Sequence, residues 1–253
     1  MDKCGMAISQ LEFATWLLGN FSTVKEVREA LEMEWFPLVF EKKLLEYTFE
    51  LHYSVVDKTG DSIIIEYTDQ GRKVHENPLG VMTNSPPYDF HMLNVRNYVQ
   101  LSQYGHEDFV LGGTPFKPLG EGSGLLGMPG DLTPTSRLVR VATLANFATP
   151  VKTGVDAVNL AFHVLNSVDI PKGVARHETL QRLADYTSWK VAKDLTNNAL
   201  YYLDYNDLTI RVMYLDNVQP GQRLKIKVEA HEVGGFKDVT ADLTPTEAAH
   251  TEL

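Results

Sequence analysis

The sequence has little or none of several features, and each shortage excludes a class of protein. Among its 253 residues there is one cysteine, Cys4, so no disulfide can form within the chain and the redox compartment is not indicated. No apolar run is as long as a membrane span, and Met1 to Cys4 lack the basic and apolar segments of an export signal. We therefore expect a soluble protein without a membrane partner, in a compartment that the sequence leaves open.

Positive charge is also scarce. The chain has 23 lysines and arginines against 33 aspartates and glutamates, which gives a formal net charge of -10. A surface with this excess of carboxylates repels phosphate backbones, so we expect no nucleic-acid partner. The hydrophobic share of 43% is ordinary for a globular protein, and there is no repeat or long linker. A single domain over residues 1–253 is the simplest organisation.

Several motifs that carry chemistry are absent too. None of the eight histidines stands in a His-Glu-x-x-His pair, so no metal site is predicted. His52, His91 and His163 lie in apolar stretches, where packed core histidines are commoner than ligands. There is no Gly-x-Ser-x-Gly nucleophile elbow and no glycine-rich loop ending in Gly-Lys-Ser/Thr. The sequence therefore predicts neither a serine nucleophile of that type, nor a phosphate-binding loop, nor a cofactor.

What is present is a set of strand patterns at both ends of the chain with helical patterns between them. Helical spacing and capping signals predict helices over 11–18, from Thr23-x-x-Glu26 onward, over 89–101, over 137–147 and from a cap at Asp156. Alternation and turn residues predict a hairpin over 51–67, a third strand over 80–83 and a three-stranded meander over 186–215. The stretch 105–135, rich in glycine and proline, is predicted to be an ordered loop. This order favours an α+β fold over a βαβ repeat.

The first stretch with chemical character is the predicted strand that ends in Asn84-Ser85-Pro86. An asparagine at the end of a strand can direct its amide N–H groups outward, as an oxyanion-stabilising donor does. The same residues also suit an ordinary turn before a helix, which is their commoner use. From the residues alone, both interpretations stay open.

The second is the stretch from Leu119 to Arg137, which contains five glycines. Glycine permits backbone conformations that other residues avoid, so this stretch can take an unusual path. Arg137 follows it in a predicted helix. Its guanidinium could pair with a carboxylate in a site, or it could lie in solvent in the first helical turn, and the residues alone do not decide.

Together these stretches resemble the choloylglycine hydrolase family, which includes penicillin V acylases and bile salt hydrolases. The resemblance runs from about Leu11 to about Leu215. It rests on blocks at 13–27, 51–53, 80–86, 93–98, 124–137, 170–173 and 185–196, in the family's order. The most specific are Thr-Asn-Ser-Pro at 83–86 and Gly-x-Pro-Gly-Asp-x-Thr-Pro-x-Ser-Arg, which ends at Arg137. The tail over 216–253 has no recognised match.

The resemblance implies a four-layer αββα fold of the N-terminal-nucleophile (Ntn) hydrolase type. It also implies hydrolysis of linear amide C–N bonds, as in penicillin V, conjugated bile salts or N-acyl homoserine lactones. On the matching positions, Asn84 would be the oxyanion donor and Arg137 the arginine that holds the active-site network. The partner would be a small-molecule amide or acyl ligand, no cofactor is implied, and family members often form homo-oligomers.

The sequence departs from the family's pattern at its beginning. The family's mature chain starts with a nucleophilic cysteine, which its own amino group activates, and an arginine and an aspartate follow closely. Cys4 precedes a predicted helix and has no such pair after it, so we do not expect it to be the nucleophile. We expect a scaffold that lacks the family's first strands, exposes a sheet edge and an apolar face, and is inactive by itself. The alternatives are an enzyme completed by a separate chain, a module that binds acyl groups without chemistry, and a plain interaction protein.

Overall fold

The chain is α+β, as the sequence predicted. The computed structural model describes residues 7–33, 35–40, 51–176 and 184–219. The helices in these ranges are α1 (Gln10–Asn20), α2 (Val24–Leu31), α3 (Tyr88–Val95), α4 (Pro134–Phe147) and α5 (Gly154–Asn166). The strands are β1 (Ala7–Ser9), β2 (Leu38–Phe40), β3 (His52–Val56), β4 (Ser62–Thr68), β5 (Gly71–Glu76), β6 (Phe109–Leu111), β7 (Thr114–Phe116), β8 (Ala175–Arg176), β9 (Ala184–Asp185), β10 (Trp189–Asp194), β11 (Ala199–Asp204) and β12 (Arg211–Tyr214). None of these helices has the length and apolarity needed to cross a bilayer.

The first large sheet joins β3, β4 and β5 in antiparallel order, with β4 at its centre. Ile63, Ile64 and Ile65 of β4 are all fully buried. Because neighbouring residues of a strand point to opposite faces, both faces of β4 are covered. Ile63 and Ile65 belong to a hydrophobic cluster with residues of α1 and α2, so that face carries the helices. Glu66 shares the opposite face with Ile64.

Helix α2 is joined to this sheet by polar contacts as well as by its apolar face. Thr23 and Glu26 form the predicted capping box, because each side chain accepts a hydrogen bond from the backbone N–H of the other. Asp57, in the turn between β3 and β4, accepts from the N–H of Val24 at the start of the helix. Negative charge is favourable at a helix N-terminus, so the turn and the helix stabilise each other.

The second large sheet is the predicted meander β10-β11-β12, which packs against α5. Val158 and Phe162 of α5 form a hydrophobic cluster with Ala192 and Leu203 of the sheet. Lys190, buried on β10, places its Nζ 3.1 Å from the carboxylate of Asp169, just beyond the helix. Apolar packing and this ion pair hold α5 on the sheet.

The prediction of a strand over 80–83 was wrong. In the described part of the chain this stretch lies in a loop, and the third strand of the first sheet is β5, which the sequence did not predict. Gly80 has a φ of 64°, so the chain turns there instead of continuing as an extended strand. A pattern of only four residues is too short to outweigh such a turn.

Other predictions needed smaller corrections. The cap of α5 is Thr153, whose hydroxyl accepts from the N–H of Asp156; the prediction of Asp156 as the cap was wrong. The helix predicted over 89–101 is α3 followed by one 3-10 turn at Arg96–Tyr98. His163 is exposed on α5, so its assignment to the core was also wrong, whereas His91 is buried.

The predicted loop over 105–135 contains the short hairpin β6-β7 and a 3-10 turn at Ser123–Leu125. Gly124 is required where this loop approaches another part of the backbone, since a Cβ there would lie 2.0 Å from the carbonyl oxygen of Tyr104. The N–H of Ser102 donates to the Gly124 carbonyl at 2.9 Å. This contact anchors the loop that leads into α4.

Candidate active site

Asn84 lies in the loop that joins β5 to α3. Its side chain is exposed, and its Oδ1 accepts a hydrogen bond of 2.6 Å from Nη2 of Arg137. Its backbone carbonyl oxygen lies 2.9 Å from Nε2 of His91 on α3, which must be the donor because a carbonyl only accepts. The structure therefore brings together the two residues that the sequence singled out, although 53 positions separate them.

Arg137 reaches Asn84 from the first turn of α4. Its Nε donates to the carbonyl of Leu132 at 3.1 Å, which holds the side chain along the preceding loop. Burial of the guanidinium and, after it, the nearby charge of Arg140 lower the pKa of Arg137. Its bonded partners in the described part of the chain are neutral oxygens, so its positive charge is not paired with a carboxylate there.

The loop before α4 is fixed from both sides. Arg140 is buried one turn beyond Arg137, and its Nη1 donates to the carbonyls of Pro129 and Asp131 at 2.7 and 3.2 Å. These bonds hold the loop backbone against the helix. The loop thus determines where the Arg137 side chain projects from α4.

The Asp131 carboxylate completes this unit. It accepts from the hydroxyl of Ser136 and from the hydroxyl and backbone N–H of Thr133, the residue that precedes α4. Thr133 makes no side-chain capping bond of its own, and Asp131 instead accepts from the backbone N–H of this residue and places negative charge near the helix N-terminus, where it is favourable. The bonds from Ser136 and Thr133 lower the pKa of Asp131 to about 2.

The contact with Arg137 decides the orientation of the Asn84 amide. A guanidinium only donates, so Oδ1 must face it and the amide nitrogen must face away. No acceptor among the described residues is hydrogen-bonded to that nitrogen, which leaves two N–H groups directed away from Arg137. A neutral amide donor next to a cation is an arrangement that stabilises an oxyanion.

A buried carboxylate that the sequence analysis missed, Glu66 of β4, lies beneath the Asn84 loop. It is 1% exposed, and its oxygens lie 2.9 and 3.1 Å from the backbone nitrogen of Tyr88, which donates to them. Nδ1 of His52 is 3.0 Å from one carboxylate oxygen, and Nε2 of His75 is 3.4 Å from the other, without hydrogen-bond geometry. The sequence held one signal for this residue, a lone carboxylate in the apolar run 63–67. Such a group is buried only where partners contact it, so it indicates a polar site within the core.

Cys4 lies outside the described residues, so its expected lack of a catalytic role stays a prediction. In the ranges that the structure describes, no three histidine, cysteine, aspartate or glutamate side chains are grouped as a metal site requires. The site described so far thus consists of Asn84, Arg137 and the groups that hold them.

Comparison with known proteins gives the family. The model of the linear amide C–N hydrolases, choloylglycine hydrolase family, matches residues 1–220. A bile salt hydrolase/transferase of Clostridium perfringens is 36% identical over 204 residues, which are 79% of this chain and 60% of the relative. That of Lactiplantibacillus plantarum is 32% identical over 217 residues, 85% of this chain and 65% of the relative. The chain therefore spans less than two thirds of the length of these relatives.

Solved structures agree with this assignment. A mutant of the conjugated bile acid hydrolase from Clostridium perfringens superimposes with a TM-score of 0.78 at 30% identity, over 92% of this chain and 70% of that one. The penicillin V acylase from Agrobacterium tumefaciens, at 22% identity and a TM-score of 0.64 over 84% of this chain and 57% of that one, shows the same fold. The Ntn-hydrolase-like α+β fold is thus confirmed, and the chain belongs to the choloylglycine hydrolase family.

Proposed function

We propose that this chain supplies the oxyanion-stabilising part of an enzyme that hydrolyses linear amide C–N bonds. The observation that carries the proposal is the 2.6 Å bond from Arg137 to Oδ1 of Asn84, because it directs the amide N–H groups away from the guanidinium. The names of the relatives indicate the substrate classes to test, conjugated bile salts and penicillin V. N-acyl homoserine lactones are a third class with the same linear amide.

The proposed chemistry follows from the roles of these groups. A cysteine thiolate attacks the carbonyl carbon of the amide, and the carbonyl π electrons move to oxygen. Asn84 donates to the resulting O⁻, while Arg137 holds the amide in place and adds positive potential. The C–N bond then breaks, the amine leaves with the proton that the thiol lost on becoming a thiolate, and water cleaves the thioester to release the acid and restore the thiol.

We also propose that the 253-residue polypeptide does not turn over these amides by itself. Neither an amide nor a guanidinium is a nucleophile, so Asn84 and Arg137 can stabilise the intermediate but cannot form it. Cys4 is not followed by the closely spaced arginine and aspartate of the family. A polypeptide that carries the nucleophilic cysteine with that pair would complete the enzyme.

The test is the turnover of penicillin V and glycocholate by the purified chain, with Cys4→Ser in parallel. We expect no hydrolysis by either protein. Hydrolysis that disappears in Cys4→Ser would overturn the proposal and assign the nucleophile to Cys4. In the enzyme completed by the nucleophilic segment, we expect turnover, and we expect Asn84→Ala to lower kcat by about 10²–10³-fold, as loss of one oxyanion donor does.

A second candidate function, binding of acyl ligands without chemistry, is favoured by the Arg137 charge that no described carboxylate pairs with. Such a module would bind phenoxyacetate or a bile acid through the guanidinium and the Asn84 amide. Saturable binding without hydrolysis, measured by calorimetric titration and lost in Asn84→Ala, would support it. If Asn84→Ala left ligand binding unchanged, Asn84 and Arg137 would be excluded as the binding site.

A further inference from the structure

The loop that presents Asn84 is held by buried polar groups at its start, middle and end. At its start, Oδ1 of Asn77 accepts from the N–H of Val81 at 3.2 Å and from the hydroxyl of Tyr88 at 2.8 Å. In its middle, His91 donates to the Asn84 carbonyl. At its end, Glu66 accepts from the N–H of Tyr88, the first residue of α3.

Glu66 is the group among these that most needs its partners. A carboxylate that is 1% exposed carries a large desolvation penalty unless hydrogen bonds and a positive partner offset it. Pro87 makes no side-chain cap for α3, so Glu66 caps the helix from the neighbouring sheet, where its negative charge is favourable. The start of α3 is therefore fixed by a residue of β4.

A second line of contacts leads from Glu66 to the residue after Asn84. Nδ1 of His52 lies 3.0 Å from Glu66, and Nε2 of the same ring lies 3.5 Å from the hydroxyl of Ser85, at the outer limit of a hydrogen bond. The Glu66 carboxylate is thus connected through His52 to the chain just after Asn84. It is connected through Tyr88 to the far end of the loop.

The position of α3 also fixes His91, which is one turn after Tyr88. Because His91 donates to the Asn84 carbonyl, a displacement of the start of α3 would move the Asn84 backbone with it. The side-chain amide is then set by two constraints, the backbone held by His91 and the Oδ1 atom held by Arg137. Only the first of these depends on Glu66.

We propose that Glu66 is a positioning residue for the oxyanion donor. Through Tyr88 and His52 it fixes the loop and the start of α3, and so sets the direction of the Asn84 amide without touching a substrate. The inference rests on the proposed function of Asn84. The bonds themselves do not depend on catalysis, so the role can be tested in the absence of turnover.

The experiment is ¹H–¹⁵N NMR of the labelled full chain, observing the side-chain NH₂ signals of Asn84, which are assigned by their loss in Asn84→Asp. We expect Glu66→Ala to displace or double these signals, because the loop loses its anchor. Glu66→Gln should restore them, since its amide oxygen can still accept from Tyr88. A result in which Glu66→Ala leaves the signals at their native positions would overturn the proposal.

The matched control is Asp204→Ala. Asp204 is also a buried carboxylate, at the end of β11 in the other large sheet, and it accepts from the backbone N–H groups of Asn206 and Asp207 in the turn that follows. Its loss should lower stability without moving the Asn84 signals. Equal displacement by Glu66→Ala and Asp204→Ala would show a general loosening of the fold and would refute a specific role for Glu66.

A second variant keeps the test decisive if Glu66→Ala does not fold. Glu66→Asp keeps the charge but is one methylene shorter, so it should no longer reach the N–H of Tyr88 and should also displace the Asn84 signals. Unchanged signals in Glu66→Asp would contradict the proposal. If the signals move in both variants while Asn84→Ala has no effect on the completed enzyme, Glu66 positions the Asn84 amide, but that amide is not an oxyanion donor and the proposed function fails.

Discussion

At the scale of single residues, the Asp131 carboxylate links the stability of the α4 start to pH. Hydrogen bonds from Ser136 and Thr133 lower its pKa to about 2 from an ordinary 3.8. A pKa that is lower in the folded state adds stability above the unfolded-state value, and this stability disappears as the pH falls through the folded-state value. The contribution of Asp131 should therefore be lost between about pH 4 and about pH 2.

We predict that Asp131→Asn flattens this part of the stability profile, because the amide has no charge to lose. Thermal unfolding followed across that range measures the effect. Ser136→Ala removes the donor with the largest influence on the Asp131 pKa and should reproduce part of the change. A profile of Asp131→Asn that parallels the unaltered protein throughout the range would contradict the assignment.

At the scale of secondary-structure elements, the capping box of α2 offers a direct measurement. Thr23→Ala removes the hydroxyl that accepts from the Glu26 N–H, and such a loss lowers the free energy of unfolding by about 1 kcal/mol. Thr23→Ser keeps the hydroxyl and should stay close to the unaltered protein. Urea unfolding of both variants makes the comparison, and equal stability of the alanine and serine variants would show that the cap contributes nothing.

At the scale of the whole molecule, one domain over 1–253 is our proposal. The two hydrophobic clusters lie on different sheets, but α4 contacts both α3 and α5, and the bond from Arg137 to Asn84 connects α4 to the loop after the first sheet. Elements that share contacts in this way are expected to unfold together. Self-association of the chain as a homo-oligomer stays a prediction.

The single-domain proposal predicts coincident unfolding transitions. In a Trp35→Phe, Trp189→Phe background, the fluorescence of Trp16 reports on the cluster of α1 and α2, and far-UV circular dichroism reports on the whole chain. Both signals should give the same urea midpoint. Fluorescence and circular dichroism midpoints that differ would divide the chain into two units.

The sequence by itself determined the parts of this protein that depend on nearby residues. The capping box at Thr23, the hairpin of β3 and β4, and the meander from Trp189 to Tyr214 were predicted because periodicity, turn chemistry and capping act over a few positions. The ordered motifs around Asn84 and Arg137 also gave the family, which the comparisons confirm.

Only the tertiary structure decided what depends on distant residues. The approach of α4 placed Arg137 against Asn84. A local sequence pattern carries no information on this contact, because the two residues lie far apart in the chain. The same is true of Glu66, since a carboxylate within an apolar strand is stable only where the fold brings Tyr88 and His52 to it.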